Sequence, residues 1–305
     1  MSAPAAQPAS YVGFDTITHQ MERKFLKRGF RLNVILVGET GLGKSTLINT
    51  IFASHLIDSK GRRIAQEPVR KTVEITPVSH EIEESGVRMQ LTIVDTPGFG
   101  DGLNNDGCWV PIIKYIKDQH KGYLERELKP QRERFIPDTR IHCCLYFISP
   151  SGHGLRPLDI EVLKRLTEVV NVVPVIAKSD TLTLEERIAF KSRIKEELAF
   201  HQINVCPYPS DEDDEEDRAL HTSIKDLIPF AVVGSEDVID INGVPTRARR
   251  HRWGTVIVEN EKHCDFIHLR NFLTRTHLND MIETTAHLHY EAFRTSQLHV
   301  HNSSN

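Results

Sequence analysis

Four stretches of the chain are apolar at nearly every position: residues 31–37 (RLNVILV), 142–148, 172–177 and, more briefly, 230–233. Runs of this length and texture predict strands buried on both faces. Between them, residues 45–52, 158–169 and 184–201 carry apolar side chains at helical spacing. Strands alternating with helices predict an α/β fold, a mostly parallel sheet with helices on both faces. Residues 78–84 and 88–94 read as two further strands, separated by the hairpin signal Glu84-Ser85-Gly86, and supply one antiparallel edge. Residues 54–77 are polar and read as a long loop. After Gly234 the pattern changes. Residues 238–241, the turn Asn242-Gly243 and residues 254–258 suggest additional strands, and residues 265 to about 293 suggest one long helix. Only about a dozen residues follow, so no C-terminal coiled coil is expected.

Composition adds little, and charge distribution adds more. The 305 residues are 39% hydrophobic and 26% charged, with a net charge of −4, an ordinary globular mixture. Residues 1–10, small and rich in proline, are expected to be disordered. Arg23, Lys24, Lys27, Arg28 and Arg31 cluster before the first strand, residues 210–217 (SDEDDEED) are acidic, and Arg247, Arg249, Arg250 and Arg252 form a second basic cluster. The first cluster would attract an anionic leaflet by about 1 kcal/mol per cation; a solvated face, or a partner for an acidic run, explains it equally well. Five cysteines without a CxxC pair read as small buried hydrophobes in a reducing compartment, with Cys143 and Cys144 on opposite faces of a strand. The sixteen histidines, among them the pairs His287/His289 and His299/His301, show no zinc-ligand spacing. No signal peptide, membrane-length apolar run, myristoylation site or prenylation box is present. A soluble intracellular chain is expected, with peripheral membrane contact at most and no nucleic-acid partner.

The chemistry lies in three loops. Gly38-Glu39-Thr40-Gly41-Leu42-Gly43-Lys44-Ser45 matches GxxxxGK[ST], between a predicted strand and a predicted helix. Glycines there let several backbone N–H groups converge on one phosphate, helped by the helix N-terminus. Lys44 would reach the β- and γ-phosphates and Ser45 would ligate Mg²⁺. Asp95-Thr96-Pro97-Gly98 follows the next strand; Asp95 would support the Mg²⁺ shell and the Gly98 N–H would meet the γ-phosphate. Ala177-Lys178-Ser179-Asp180 follows another strand. A carboxylate at Asp180 accepts from the N1–H and N2–H₂ groups of guanine, which adenine lacks, and the Lys178 stem can cover the base. A capping role for Asp180 before the helix at residue 184 is the alternative. Most small GTPases have Asn where this chain has Ala177. Thr72, in the loop before the hairpin, occupies a place where threonine commonly ligates Mg²⁺. Phe99 stands where Ras-like GTPases have a water-orienting glutamine, so slow hydrolysis is expected.

These motifs and their flanks, from about residue 11 to 293, resemble the septin family of filament-forming GTP-binding proteins. The most specific pieces are GETGLGKSTLINT, VDTPGFGD, HCCLYFISPSGHGLRPLD, VPVIAKSDTLTLEE, IPFAVVGS and WGTVIVEN. Alanine before the base-selecting lysine is the septin habit. The short C-terminus is similar to the subgroup without a coiled coil, which includes the septin-9-like branch and the fungal Cdc10-type proteins. The resemblance implies a Ras-like P-loop GTPase domain over residues 30–235, which follows an N-terminal segment (1–29), and then a septin-unique element (236–293) and a short tail (294–305). It implies GTP or GDP with Mg²⁺ held by residues 38–45, Thr46, Gly98, Lys178, Asp180, Gly234 and Arg249. Thr72 and Lys44 would serve hydrolysis. His153, Thr181, Glu186 and Trp253 would meet a facing subunit across the nucleotide (the G interface), with a second, terminal NC interface behind, in homodimers or in hetero-oligomers and filaments. Arg23, Lys24, Lys27 and Arg28 match the family's phosphoinositide-binding stretch. The implied setting is the cytoplasmic cytoskeleton at the cell cortex, in a septin ring at a bud neck or division site. One departure is His251-Arg252-Trp253-Gly254, where many septins read Tyr-Pro-Trp-Gly. A monomeric signalling GTPase and a P-loop ATPase or kinase are the competing readings.

Overall fold

A computed structural model describes residues 15–57, 75–99, 105–131, 135–208, 215–241 and 243–303. Expectations that fall on residues 1–10, on Thr72, on Asn242 and on residues 210–214 lie outside them. Helix α1 (Asp15–Arg28) stops at Gly29, where φ is +69° and an added Cβ would stand 2.9 Å from the Arg88 carbonyl oxygen. Only glycine adopts that backbone next to so close a neighbour. The apolar run that follows is β1 (Phe30–Gly38), buried from Leu32 onward.

Strand β1 is central. The hairpin β2 (Thr76–Glu84) and β3 (Val87–Asp95) lies on one side of it, and β4 (Cys143–Ile148), β5 (Val172–Ile176) and β6 (Phe230–Ala231) lie on the other. The sheet order is β2-β3-β1-β4-β5-β6, with β2 antiparallel to β3 and every other pair parallel. The α/β architecture and its single antiparallel edge are those the hydrophobic pattern predicts. Helix α2 (Lys44–Ile51) packs on one face of the sheet; α3 (Val110–Glu127), α4 (Pro157–Thr167) and α5 (Leu184–Phe200) pack on the other. Cys143 joins the first apolar layer and Cys144 the second, as strand geometry requires. Helix α6 (Glu215–Leu227) follows the acidic segment and contributes Ile224 to the first layer.

The chain after β6 forms a separate antiparallel sheet of β7 (Val238–Ile241), β8 (Val244–His251) and β9 (Gly254–Ile257). It then enters the helical region, where the single long helix predicted for residues 265–293 is corrected. Helix α7 (Phe266–Asn271) widens into a π turn at Phe272–Thr276 and breaks at His277. Helix α8 (Leu278–Thr284) widens again at Thr285–Tyr290 before α9 (Glu291–Ser303). Residues 294–303, expected as a tail, continue the helix.

A buried polar network ties these helices to the amino ends of the strands. Asn171 Nδ2 donates to the carbonyls of His142 (2.8 Å) and Met281 (2.8 Å) and to Thr285 Oγ1 (3.0 Å). His289 Nε2 lies 3.1 Å from Asn171 Oδ1. Nearby, Arg140 holds Asp138 through two charge-assisted bonds of 2.9 and 2.8 Å, and its guanidinium lies 4.1 Å from the Tyr123 ring centroid and 4.8 Å from that of Tyr290.

Candidate functional site

Parallel strands end together, so the loops that follow them share one edge. Paired residues place Leu36 beside Asp95, Gly38 beside Phe147, and Ile176 beside both Ile148 and Ala231. The three predicted loops therefore emerge along the carboxyl edge, residues 38–45 after β1, 95–98 after β3 and 177–180 after β5, and Gly234 follows β6 there. From β1 the chain moves first to β3 and then across to β4. The switch in direction falls at this edge, the usual ligand position in open α/β sheets.

The phosphate loop has the backbone its glycines predict. Gly41 and Gly43 adopt φ of +82° and +89°, and Gly43 immediately precedes α2. Lys44 is buried, and its Nζ donates to the carbonyls of Gly38 (3.0 Å) and Glu39 (2.9 Å), so the ammonium is held inside the loop's curl. Leu42 packs into the core while Ser45 and Thr46 begin α2 at intermediate exposure. The second loop is pressed against the first. An added Cβ on Gly98 would lie 2.1 Å from Thr40 Oγ1, Phe99 forms a bridge with Glu39, and Thr96 Oγ1 donates to Leu36 O at 2.6 Å. Asp95 ends β3 as a buried carboxylate. Phe99 is also buried, its ring 6.1 Å from that of Tyr146. Glu39 pairs with Arg156, which also holds the buried Asp159 at 2.9 Å. Arg156 was not among the predicted residues; only the fold brings it to the loop.

Farther along this edge, after β5, Lys178 takes a left-handed backbone (φ 48°, ψ 46°) just before Asp180. Ser179 N–H donates to Val232 O at 3.1 Å, which ties this loop to the segment that carries Gly234. The Asp180 side chain is fully buried. Arg249 Nη1 stands 3.1 Å and His251 Nε2 2.6 Å from its Oδ2. Trp253 stacks on His251 at 4.6 Å and 7°, yet is 73% exposed. The structure thus sets Arg249, expected to cover a base, on the carboxylate of the loop at residues 177–180. His251, noted in the sequence only as a departure from the usual pattern, joins it there. Gly234 lies against α2, where an added Cβ would be 3.0 Å from Leu47 Cα.

His153, Thr181 and Glu186 are exposed around this region. Thr181 Oγ1 donates to Lys178 O at 2.9 Å. Glu186 caps α5 reciprocally with Thr183: Thr183 N–H donates to Glu186 Oε2 (2.8 Å) and Glu186 N–H to Thr183 Oγ1 (3.2 Å). Arg23, Lys24 and Lys27 are exposed along α1, away from the carboxyl-edge loops in sequence; Arg28 closes the helix. Among the described residues no helix is long and apolar enough to cross a membrane.

Comparison with known proteins agrees with this geometry. The septin family profile matches residues 28–305. The chain belongs to the septin family. It is 60% identical over 299 residues to septin homolog spn2 of Schizosaccharomyces pombe, covering 98% of this chain and 90% of that protein. It is 55% identical to cell division control protein 10 of Saccharomyces cerevisiae (96% and 92% covered), and 51% identical to human septin-9, of which it spans 50%. Among solved structures, the septin GTPase domain from Chlamydomonas reinhardtii superposes with a TM-score of 0.61 at 26% identity, covering 87% of this septin and 98% of that chain. The residues present suit the Mg²⁺ of such a domain: a hydroxyl and a carboxylate, Ser45 and Asp95, offer oxygen alone, the donor type this cation takes.

Proposed function

We propose that this septin binds GTP or GDP with Mg²⁺ along the carboxyl edge, as a ligand built into a subunit contact more than as a fast switch. The observation that carries the reading is the arrangement of that edge. A glycine-lined curl around Lys44 follows β1 and a fully buried carboxylate, Asp180, follows β5 on the same edge. Backbone N–H groups of residues 38–46 and Gly98 would hold the phosphates, with Lys44 transferring from the loop carbonyls to phosphate oxygens. Ser45 and Asp95 would hold Mg²⁺, joined by Thr72; the ion supplies charge neutralisation between the phosphates. Asp180 would accept from the base, and Arg249, released from the carboxylate, would cover the base with Lys178 while Gly234 meets it through its backbone.

Hydrolysis would be slow, because Phe99 is anchored in the core and offers no group to orient water. The rim favours assembly over a solitary switch. Trp253 (73% exposed), stacked on His251 beside Asp180, and Leu184 (59%) and Ile188 (68%) on α5 would be covered by a facing septin, homodimeric or heteromeric, which His153, Thr181 and Glu186 would also meet. The opposite, terminal side would complete hetero-oligomers and filaments. The exposed cations of α1 would let these lie on anionic phospholipid at the cell cortex, in a division-site ring. The name of the Saccharomyces relative, a cell division control protein, supports that setting.

The test is the nucleotide content of the purified chain together with its size on gel filtration at low and high salt. Bound guanine nucleotide and an oligomer that Trp253→Ala weakens at least tenfold are expected. A monomer at both salts that exchanges nucleotide within minutes would favour the signalling switch. Equal affinity for ATP and GTP would favour the ATPase reading.

A further inference from the structure

The linear spacing of the histidines shows no metal pattern, yet folding assembles a group of ligand-type side chains from distant positions. His221 lies on α6, His277 at the break before α8, and Asp280 in the first turn of α8. One potential ligand atom from each falls within 4.8 Å of the others. His221 Nε2 is 3.5 Å from Asp280 Oδ2. That is close to the ~3.3 Å separating two ligands of a tetrahedral ion bound at about 2.0–2.1 Å. The two imidazoles lie 5.0 Å apart, centre to centre.

The surroundings of His277 orient it. The residue is fully buried and stacks on Phe272 at 4.6 Å and 26°, and its Nδ1 lies 2.7 Å from Thr276 Oγ1. The hydroxyl can accept from Nδ1–H, and in that tautomer the Nε2 lone pair is the atom a metal would take. Exposure is graded across the group: 0% at His277, 13% for the His221 side chain and 46% for that of Asp280. One side is dry and the other open to solvent, which gives an entry path.

We propose that His221, His277 and Asp280 form a site for a divalent transition-metal ion, with Zn²⁺ the cation best suited to two imidazoles and one carboxylate. Mg²⁺ and Ca²⁺ prefer oxygen-only shells, so this site is chemically distinct from the one at the carboxyl edge. A bound ion would clasp α6, the helix that carries the end of the acidic run, onto α8.

The test uses the full chain saturated with GDP and Mg²⁺ and freed of other metals by chelator dialysis, titrated with ZnCl₂ beside His221→Ala and Asp280→Asn. These two positions are partly exposed and so spare the core that His277 fills. The expected result is one Zn²⁺ equivalent in the unaltered chain, weakened at least about tenfold in each variant. Tetrahedral Co²⁺ absorption and a Zn²⁺-dependent rise in Tm should likewise be lost in both. Equal Zn²⁺ affinity and stoichiometry in the three proteins, or no binding by the unaltered chain, would overturn the proposal. The difference between variants is read whether or not the nucleotide reading holds.

Discussion

At the amino edge of the sheet, Asn171 directs its amide to two carbonyls and a hydroxyl, and Arg140 is enclosed between Asp138 and two aromatic rings. At the carboxyl edge, along the same strands, the polar groups are held differently. Lys44 rests on its own loop, and Asp180 is met by Arg249 and His251 from another sheet. The amino-edge partners come from the ends of strands and from packed helices, and a ligand entering there would have to break the core. The carboxyl-edge partners sit on glycine-containing loops and on the small sheet β7-β8-β9. None of these contacts belongs to the pairing of the six strands, so a ligand that displaced them would leave the sheet intact. One edge thus holds the fold together and the other holds polar groups ready for exchange, so substitutions at the two should separate stability from binding.

The largest effect is expected at Asp180. Asp180→Ala removes the acceptor for guanine's two donors and should reduce the preference for GTP over ATP by on the order of 10³-fold, or about 4 kcal/mol, in competition binding. Unchanged selectivity would sink the base-reading role. Asn171→Ala should do the reverse, because it removes three buried bonds from the amide, to the carbonyls of His142 and Met281 and to Thr285 Oγ1, together with the partner of His289 Nε2, and costs about 3 kcal/mol in urea unfolding. Nucleotide affinity of the folded fraction should stay within a factor of about two. A comparable loss of affinity would show that the two edges are coupled.

These two edges were unequally legible in the sequence. The carboxyl edge is written in contiguous motifs, because a phosphate curl and a base-selecting turn each need neighbouring residues. The buried strands were equally plain, since each is apolar at almost every position. The amino edge joins Asn33, Asp138, Asn171 and His289, and no local pattern announces bonds across such distances. The same cause broke the predicted long helix. The Met281 carbonyl accepts from Asn171 Nδ2 and from Thr285 Oγ1 (2.7 Å) just where the helix widens at Thr285–Tyr290, a competition between side chain and backbone that apolar spacing does not record. Helix α3 buries Ile112, Ile116, His120 and Leu124 on one stripe, but a histidine and the opening Pro111 interrupt its apolar signal.

Acid should unlock the amino edge at milder pH than the unfolding of an ordinary core. Burial, the main cause in each case, lowers His120 and His289 from 6.5 to about 4. Both are neutral in the folded chain and take up protons once it unfolds. Their contribution is intact above pH 6.5 and is lost as pH falls towards 4, by about 2 kcal/mol per histidine at pH 5. Asp138 adds a loss at lower pH: burial would raise its carboxyl, but the hydrogen bonds from His142 and Arg140 outweigh this and hold it far below the usual range. His120→Phe keeps a ring between Tyr290 and Phe293 and removes one titrating group. The difference in unfolding free energy between pH 7 and pH 5 should shrink by about 2 kcal/mol. An unaltered difference would show that His120 takes up its proton equally in the folded and the unfolded chain.

The smallest expected effect separates two roles at one residue. Glu186 completes the cap of α5, and loss of that bond in Glu186→Ala should cost the isolated chain about 0.5–1 kcal/mol, measured by urea unfolding. If Glu186 also reaches the nucleotide of a facing subunit, dimer dissociation should strengthen the effect beyond this, because each copy would lose a contact across the interface. Glu186→Gln distinguishes the contributions, since a glutamine side chain can still accept from Thr183 N–H but brings no charge to the neighbour. A Gln variant with near-normal monomer stability and weakened dimerisation would place Glu186 in the interface. A Gln variant that dimerises normally would confine it to the cap and leave Trp253 as the stronger candidate anchor on that rim.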